Sequence, residues 1–167
     1  MSSFAGKFLV ARHVLSDPHF NRSVVLLLQH GPEGAFGLVV NRPAKIEGLP
    51  FPVFAGGPCS SQGLLLLHGY KEWADIEDGI VEGQIAPGIL LGDASCLQRL
   101  DDLPESQPCR FRMFAGYSGW GPGQLENELG AGAWALTAAT GKLLFETPAK
   151  ELWDRLVPPA LPQFSLN

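Results

Sequence analysis

The side chains that could do chemistry gather around a few glycine-rich turns. Ser118 lies in Gly116-Tyr117-Ser118-Gly119-Trp120, with His30 and His68 available elsewhere as bases. A nucleophile elbow requires Gly-x-Ser-x-Gly, and here tryptophan stands where the second glycine belongs. Cys59 follows the turn Gly56-Gly57-Pro58 but has no basic neighbour in sequence to activate it. His13, His19, His30, His68 and Asp17 are potential metal ligands, yet none has the i, i+4 helical spacing of zinc enzymes. No metal or cofactor is expected. Gly119-x-Gly121-x-Gly123 imitates the start of a dinucleotide fingerprint. Its third spacing is wrong, and the helix after it is too short for a crossover unit.

What these exclusions leave is a binding surface. Arg42, Gly57, His68 and Trp120 fall at the ends of expected strands or in the turns beside them, and Gln124 shares a polar stripe with Glu128 on the short helix that follows. Arg42 offers a fixed cation, Trp120 an aromatic face flanked by glycines, and the helix start after Pro122 offers unpaired N–H groups. If the five converge on one groove, they suit a small anionic group or an acidic peptide segment. Glu126 and Glu128 on the same helix oppose an anion there. A purely structural alternative keeps the glycines at bends, Trp120 in the core and Gln124 tying off loop backbone. An enzymatic alternative uses Cys59 or His68 in the same groove.

The elements that must position these residues read as follows. Alternation and apolar runs predict strands at 8–12, 23–30, 35–41, 51–55, 64–67, 80–81, 89–91, 110–115, 133–139 and 143–145. The aliphatic run of 24–28 predicts a central strand, and Gly31-Pro32-Glu33-Gly34 a hairpin into the next one. Residues 44–50 read as an irregular link. Asp93 or Ser95 caps a helix carrying Cys96, Leu97, Leu100 and Leu103 on one side, ending at Pro104. Pro122 suits a first helical position, Leu125 and Leu129 share a face, and Gly130 and Gly132 supply the stop. Leu152, Trp153 and Leu156 form the apolar stripe of a last helix after Thr147-Pro148. Many short strands with helices in the second half predict an α+β fold, with a curved, antiparallel-dominated sheet and three or more helices.

At 167 residues the chain suits one domain, 1–167, with a loose tail over 158–167. Net charge is −5, without the basic stripe that displaces counterions from phosphates, so direct nucleic-acid binding is disfavoured. The longest aliphatic run is far below the roughly 20 residues of a membrane helix. No signal-peptide pattern opens the chain, so a cytoplasmic location is expected. Cys59, Cys96 and Cys109 are an odd number without short spacing, which fits neither a disulfide framework nor a zinc site. Cys96 is expected in the core.

The stretch Gly116-Tyr117-Ser118-Gly119-Trp120-Gly121-Pro122-Gly123-Gln124-Leu125-Glu126 resembles the signature of the bacterial AlgH/YqgE family. Asp17-Pro18-His19-Phe20, the run Gly34-Ala35-Phe36-Gly37-Leu38-Val39-Val40-Asn41-Arg42-Pro43, and Gly56-Gly57-Pro58 with Leu67-His68 fit the same pattern. The resemblance spans nearly the whole chain. It implies a compact α+β fold with a barrel-like sheet. The family signature has alanine at the position of Ser118, which argues against a serine nucleophile, and proline at the position of His13. The regulator label attached to the family implies a role in gene expression without a mechanism. A regulatory or interaction protein, working through a protein or small ligand, is therefore expected ahead of an enzyme.

Overall fold

The computed structural model describes residues 3–44, 53–92, 95–100 and 110–159. In chain order the strands and helices are β1 (Lys7–Ala11), β2 (Val24–Gly31), β3 (Gly34–Val39), β4 (Val53–Ala55), β5 (Cys59–His68), β6 (Ile76–Glu77), β7 (Ile80–Val81), β8 (Gln84–Ala86), β9 (Ile89–Gly92), α1 (Ser95–Leu100), β10 (Phe111–Trp120), α2 (Gln124–Gly130), β11 (Trp134–Ala138), α3 (Gly141–Glu146) and α4 (Ala149–Leu156). Nine strands form one sheet in the order β11-β1-β2-β3-β10-β5-β9-β8, with β4 added beside β10. Every pairing is antiparallel except β4 with β10. The sheet curls into half a barrel with helices flanking it, the α+β architecture that the pattern predicts.

β10 is the strand on which the two halves of the sheet meet. Its last residues, Ser118 to Trp120, pair with Gly37, Phe36 and Ala35 of β3, while Met113 to Ala115 run parallel to β4. Along its other edge it pairs with β5, from Phe111 opposite His68 to Tyr117 opposite Cys59. Register slips between Ala115 and Tyr117, and in the β2–β3 pair between Leu27 and Gln29. Bulges of this kind add twist and bend, which helps a sheet this wide to curl. Gly116 sits at the first bulge with φ +79°, where a Cβ would press on the carbonyl oxygens of Gly57 and Cys59.

The aliphatic run of β2 is buried on both faces from Val24 to Leu27, because β1 and β3 flank it and helices cover the sheet. Phe8, Leu9 and Val10 of β1 are equally enclosed. Burying each such side chain is worth about 1.5–3 kcal/mol, so this central ladder anchors the fold. α4 docks on it through Leu152 and Trp153, and the Trp153 indole N–H donates to the Ala11 carbonyl at 2.7 Å. A smaller cluster joins Val53, Leu66, Cys96 and Met113, which places Cys96 in the core as expected.

Several sequence expectations need correction. Residues 143–145 are not a strand. They belong to α3, whose Thr140 cap accepts from the Leu143 N–H at 3.2 Å, and whose inner face buries Leu144 and Phe145. Pro122 is not the first helical residue; α2 begins two residues later, after Gly123 in the left-handed region. β10 does not stop at residue 115 but runs through Gly116 and Gly119 to Trp120. The end of α2 is as read from the glycines. Ala133 and Gly132 donate back to the carbonyls of Glu128 and Leu129 at 3.0 and 3.1 Å, with Gly132 at φ +81°. The expected link at 45–50, the side chains of Leu97 and Leu100, Leu103, Pro104, Cys109 and the tail beyond 159 lie outside the described residues.

Candidate functional site

The glycine-tryptophan motif ends β10 with Trp120 pointing inward, only 6% exposed. Phe20 stacks on its ring at 6.0 Å and Trp134 meets it edge-on at 6.2 Å. Two buried indole N–H groups then need acceptors. Both find one oxygen: Glu128 Oε1 accepts from Trp120 at 3.2 Å and from Trp134 at 2.9 Å. The other carboxylate oxygen accepts from the Gln124 side-chain amide at 3.0 Å. Gln124 in turn accepts from the Gly121 N–H at 3.0 Å, closing the Gly121-Pro122-Gly123 corner. Gln124 therefore faces the loop, and Trp120 belongs to the core while lining a cavity on one side.

That cavity, about 520 Å³, opens between the tip of the β2–β3 hairpin and the motif. Gln29, His30, Pro32, Glu33, Phe36 and Trp120 contribute to its wall. His30 is fixed from both ring nitrogens. The Phe4 backbone N–H donates to Nδ1 at 3.0 Å, so the ring proton resides on Nε2, which meets Glu126 Oε1 at 2.5 Å. The Phe4 ring stacks on the imidazole at 4.7 Å. The hydrogen bond from His30, assisted by a backbone N–H, holds the Glu126 carboxyl below its usual range. Glu126 is 38% exposed, so it remains an accessible negative charge beside the cavity. With both imidazole nitrogens engaged, His30 is an orienting and packing residue, and no free base faces the cavity from it.

The five residues expected to converge do not share this cavity. Trp120 lines it, and Gln124 reaches it only indirectly through Glu128. Arg42 turns the other way. Its guanidinium donates to the carbonyls of His19 and Asn21 and to the Asn21 side chain, clamping the 17–21 loop. Burial lowers its pKa from the ordinary arginine value, and nearby Asp17 opposes that shift. Gly57 packs where a Cβ would collide with the Tyr117 backbone and the Ser118 hydroxyl, so its glycine is a requirement of close strand approach. His68 pairs with Phe111 at the far end of β10. Nine residues along the strand separate that point from Trp120, roughly 30 Å at about 3.3 Å per residue.

His68 is 2% exposed, packed by Tyr70 and Trp73, and its Nδ1 accepts from the Tyr70 N–H at 3.1 Å. It lines a separate cavity of about 310 Å³ together with Trp73, Asp75, Glu82 and Cys96. Cys59 lies at the opposite end of β5 from His68, so the two cannot act as a nucleophile and base. Ser118 is fully buried and its hydroxyl donates to the Gly56 carbonyl at 3.1 Å, a structural bond. Among the described residues no three His, Cys, Asp or Glu side chains are placed to hold a metal ion. The His30–Glu126 pair and the double role of Glu128 were not legible in sequence. The first joins residues 96 positions apart, and nothing in a local pattern announces that one carboxylate serves two indoles.

A half-barrel of antiparallel strands, knitted along one glycine-rich strand that ends at a buried tryptophan, defines the class of α+β protein to which this chain conforms. The chain belongs to the AlgH-like family, whose model (DUF179, AlgH-like) matches residues 8–160. Among its relatives, a UPF0301 protein of Streptomyces avermitilis is 37% identical, over 94% of this chain and 86% of the relative. A UPF0301 protein of Myxococcus xanthus is 35% identical, over 92% and 89%. The solution structure of the AlgH protein from Pseudomonas aeruginosa matches with a TM-score of 0.67 at 25% identity, covering 92% of this chain and 87% of that one. The crystal structure of a Corynebacterium diphtheriae protein matches with a TM-score of 0.73 at 20% identity, over 93% and 86%, and speaks to the fold alone.

Proposed function

We propose that this chain acts as one domain and as an interaction module without chemistry of its own, holding a segment of a partner protein in the Trp120 groove. The observation that carries the reading is the groove itself: about 520 Å³, walled by Phe36, Trp120 and Pro32, with every polar ring nitrogen of His30 already satisfied. Space of that size with an aromatic wall suits a side chain and the backbone beside it. Glu33 on the wall and Glu126 bonded to His30 give the groove negative character, while Arg42 is committed to the 17–21 loop. These charges favour a segment that presents an aromatic or aliphatic group next to a lysine or arginine, and disfavour the acidic segment expected from sequence. Any influence on transcription would then pass through the partner. The net charge of −5 supports that route over direct DNA contact, and it fits a cytoplasmic protein. No described helix is long and apolar enough to cross a membrane.

The test is an array of short peptides in three sets, basic-aromatic, acidic-aromatic and neutral-aromatic, read by fluorescence anisotropy against the full chain and Glu33→Lys. Saturable binding of the basic-aromatic set, weakened in Glu33→Lys, is the expected result. Equal binding of the acidic set, or no saturable binding by any set, would remove the reading.

A further inference from the structure

Away from the Trp120 groove, a cavity of about 310 Å³ opens where the end of β1 meets the 13–22 loop and α4. Arg12, His13, Ser16, Asn21, Arg22 and Trp153 line it, and among the described residues no carboxylate does. Within the described residues neither Arg12 nor Arg22 forms an ion pair. Arg22 instead lies over the Trp153 ring, 5.1 Å from its centroid, and His13 meets the same ring edge-on at 5.1 Å. Two guanidiniums on one cavity, with no carboxylate among its described lining residues, suit an anion.

The loop carrying Arg22 is built, not merely exposed. Arg22 adopts φ +59°, a left-handed conformation that disfavours any residue with a Cβ. Two side chains of the Asn41-Arg42-Pro43 motif hold it there. Asn41 accepts from the Val24 N–H at 2.9 Å and donates to the Arg22 carbonyl at 3.0 Å. Arg42 grips the carbonyls of His19 and Asn21 from beneath. Asp17, the nearby carboxylate, accepts from the His19 N–H at 2.7 Å and interacts with Arg42. On the opposite wall Trp153 is fixed by its own hydrogen bond to Ala11. A strained residue clamped from two sides beside a fixed aromatic wall is the arrangement of a preorganised site.

We infer that this cavity binds the phosphate group of a small phosphorylated metabolite, with Arg12 and Arg22 as its cationic ligands and Ser16 and Asn21 as polar neighbours. Two arginines suit the doubly charged, multiply accepting phosphate better than a single carboxylate. The volume exceeds that of a bare ion, since one water occupies about 30 Å³, so part of the esterified molecule fits as well. This site shares no lining residue with the Trp120 groove and does not rest on the peptide reading.

The experiment follows the amide and indole N–H signals of the 15N-labelled full chain during addition of inorganic phosphate and of ribose 5-phosphate. Sodium acetate and sodium chloride at matched ionic strength serve as controls. Saturating shifts at the Trp153 indole and the amides of Ser16 and Asn21 are expected from both phosphates. Arg12→Gln should weaken them about tenfold or more, the effect of losing a hydrogen bond to a charged group. Arg22→Asn, which keeps a residue type tolerant of the left-handed conformation, should do the same with the remaining signals in place. Equal shifts from chloride would mean screening only and overturn the site. Equal saturation by acetate would overturn the phosphate assignment. Unaltered affinity in both variants, each shown to be folded by its spectrum, would overturn the role of the arginines.

Discussion

The Trp120 groove and the Arg12–Arg22 pocket solve opposite electrostatic problems. At the groove, the buried indoles and the imidazole have partners: Glu128 takes two indoles and Gln124, and Glu126 takes His30. At the pocket, two cations stand without a carboxylate among the described residues, and the backbone beneath one of them is strained. A satisfied network stabilises the fold, whereas unpaired like charges work against it. The difference separates residues whose hydrogen bonds hold the protein together from residues proposed to face a ligand.

The contrast can be broken most severely at Glu128. Glu128→Ala leaves two buried indole N–H groups without an acceptor, and urea unfolding should show a loss of about 3 kcal/mol, at about 1–3 kcal/mol per orphaned group. Glu128→Gln, which keeps a carbonyl acceptor, should recover much of that loss. Next in size is Arg42→Ala. Releasing the 17–21 loop should cost about 1 kcal/mol, discounted because the guanidinium is partly exposed, and should weaken phosphate binding at a pocket it does not line.

A smaller effect belongs to Glu126. Its folded-state pKa lies below the ordinary value of 4.5, chiefly through the His30 hydrogen bond. Its contribution is therefore fully present above that value and is lost as pH falls through the lower folded pKa. Glu126→Gln should lower Tm slightly in the neutral region, where the charge-assisted bond acts, and flatten the acid limb, leaving Tm below the folded pKa nearly unchanged. Smallest of all is Arg12→Gln. With no ion pair among the described residues to lose, its stability should stay within about 0.5 kcal/mol of the parent. A large destabilisation there would mean that the pocket cations serve the fold, and the contrast would collapse.

Much of the fold was legible in the chain because burial imposes a period. The run Val24 to Leu27 announces a strand buried on both faces, and it lies between β1 and β3. The glycines after Leu129 announce the end of α2 and supply it. Leu143-Leu144-Phe145 misled because three apolar residues have no period; the capping bond of Thr140 settles the segment as helix. The motif glycines suggested a corner, but Gly116 and Gly119 lie inside β10, where the 56–59 segment passes too close for a Cβ at Gly116.

The site was less legible, for a different reason. Arg42 and Gln124 are polar and near the right turns, yet each spends its hydrogen bonds on the protein itself: Arg42 on the 17–21 loop and Gln124 on Gly121 and Glu128. His68 follows a motif-like Gly-Gly-Pro stretch, but β5 runs antiparallel to the length of β10 and carries it to the opposite end. Arg12, Arg22 and Trp153 are spread over more than 140 positions, and only the docking of α4 on β1 makes them neighbours.

The most direct test of two separate recognition sites of opposite charge preference is to watch two tryptophan indoles in one sample. A basic-aromatic peptide selected from the array and ribose 5-phosphate are titrated into the 15N-labelled chain, singly and together. The account predicts that the peptide moves the Trp120 indole signal with little effect on Trp153, that the phosphate ester moves Trp153 with little effect on Trp120, and that neither alters the other's saturation. Both ligands moving the same indole, or each displacing the other, would contradict it.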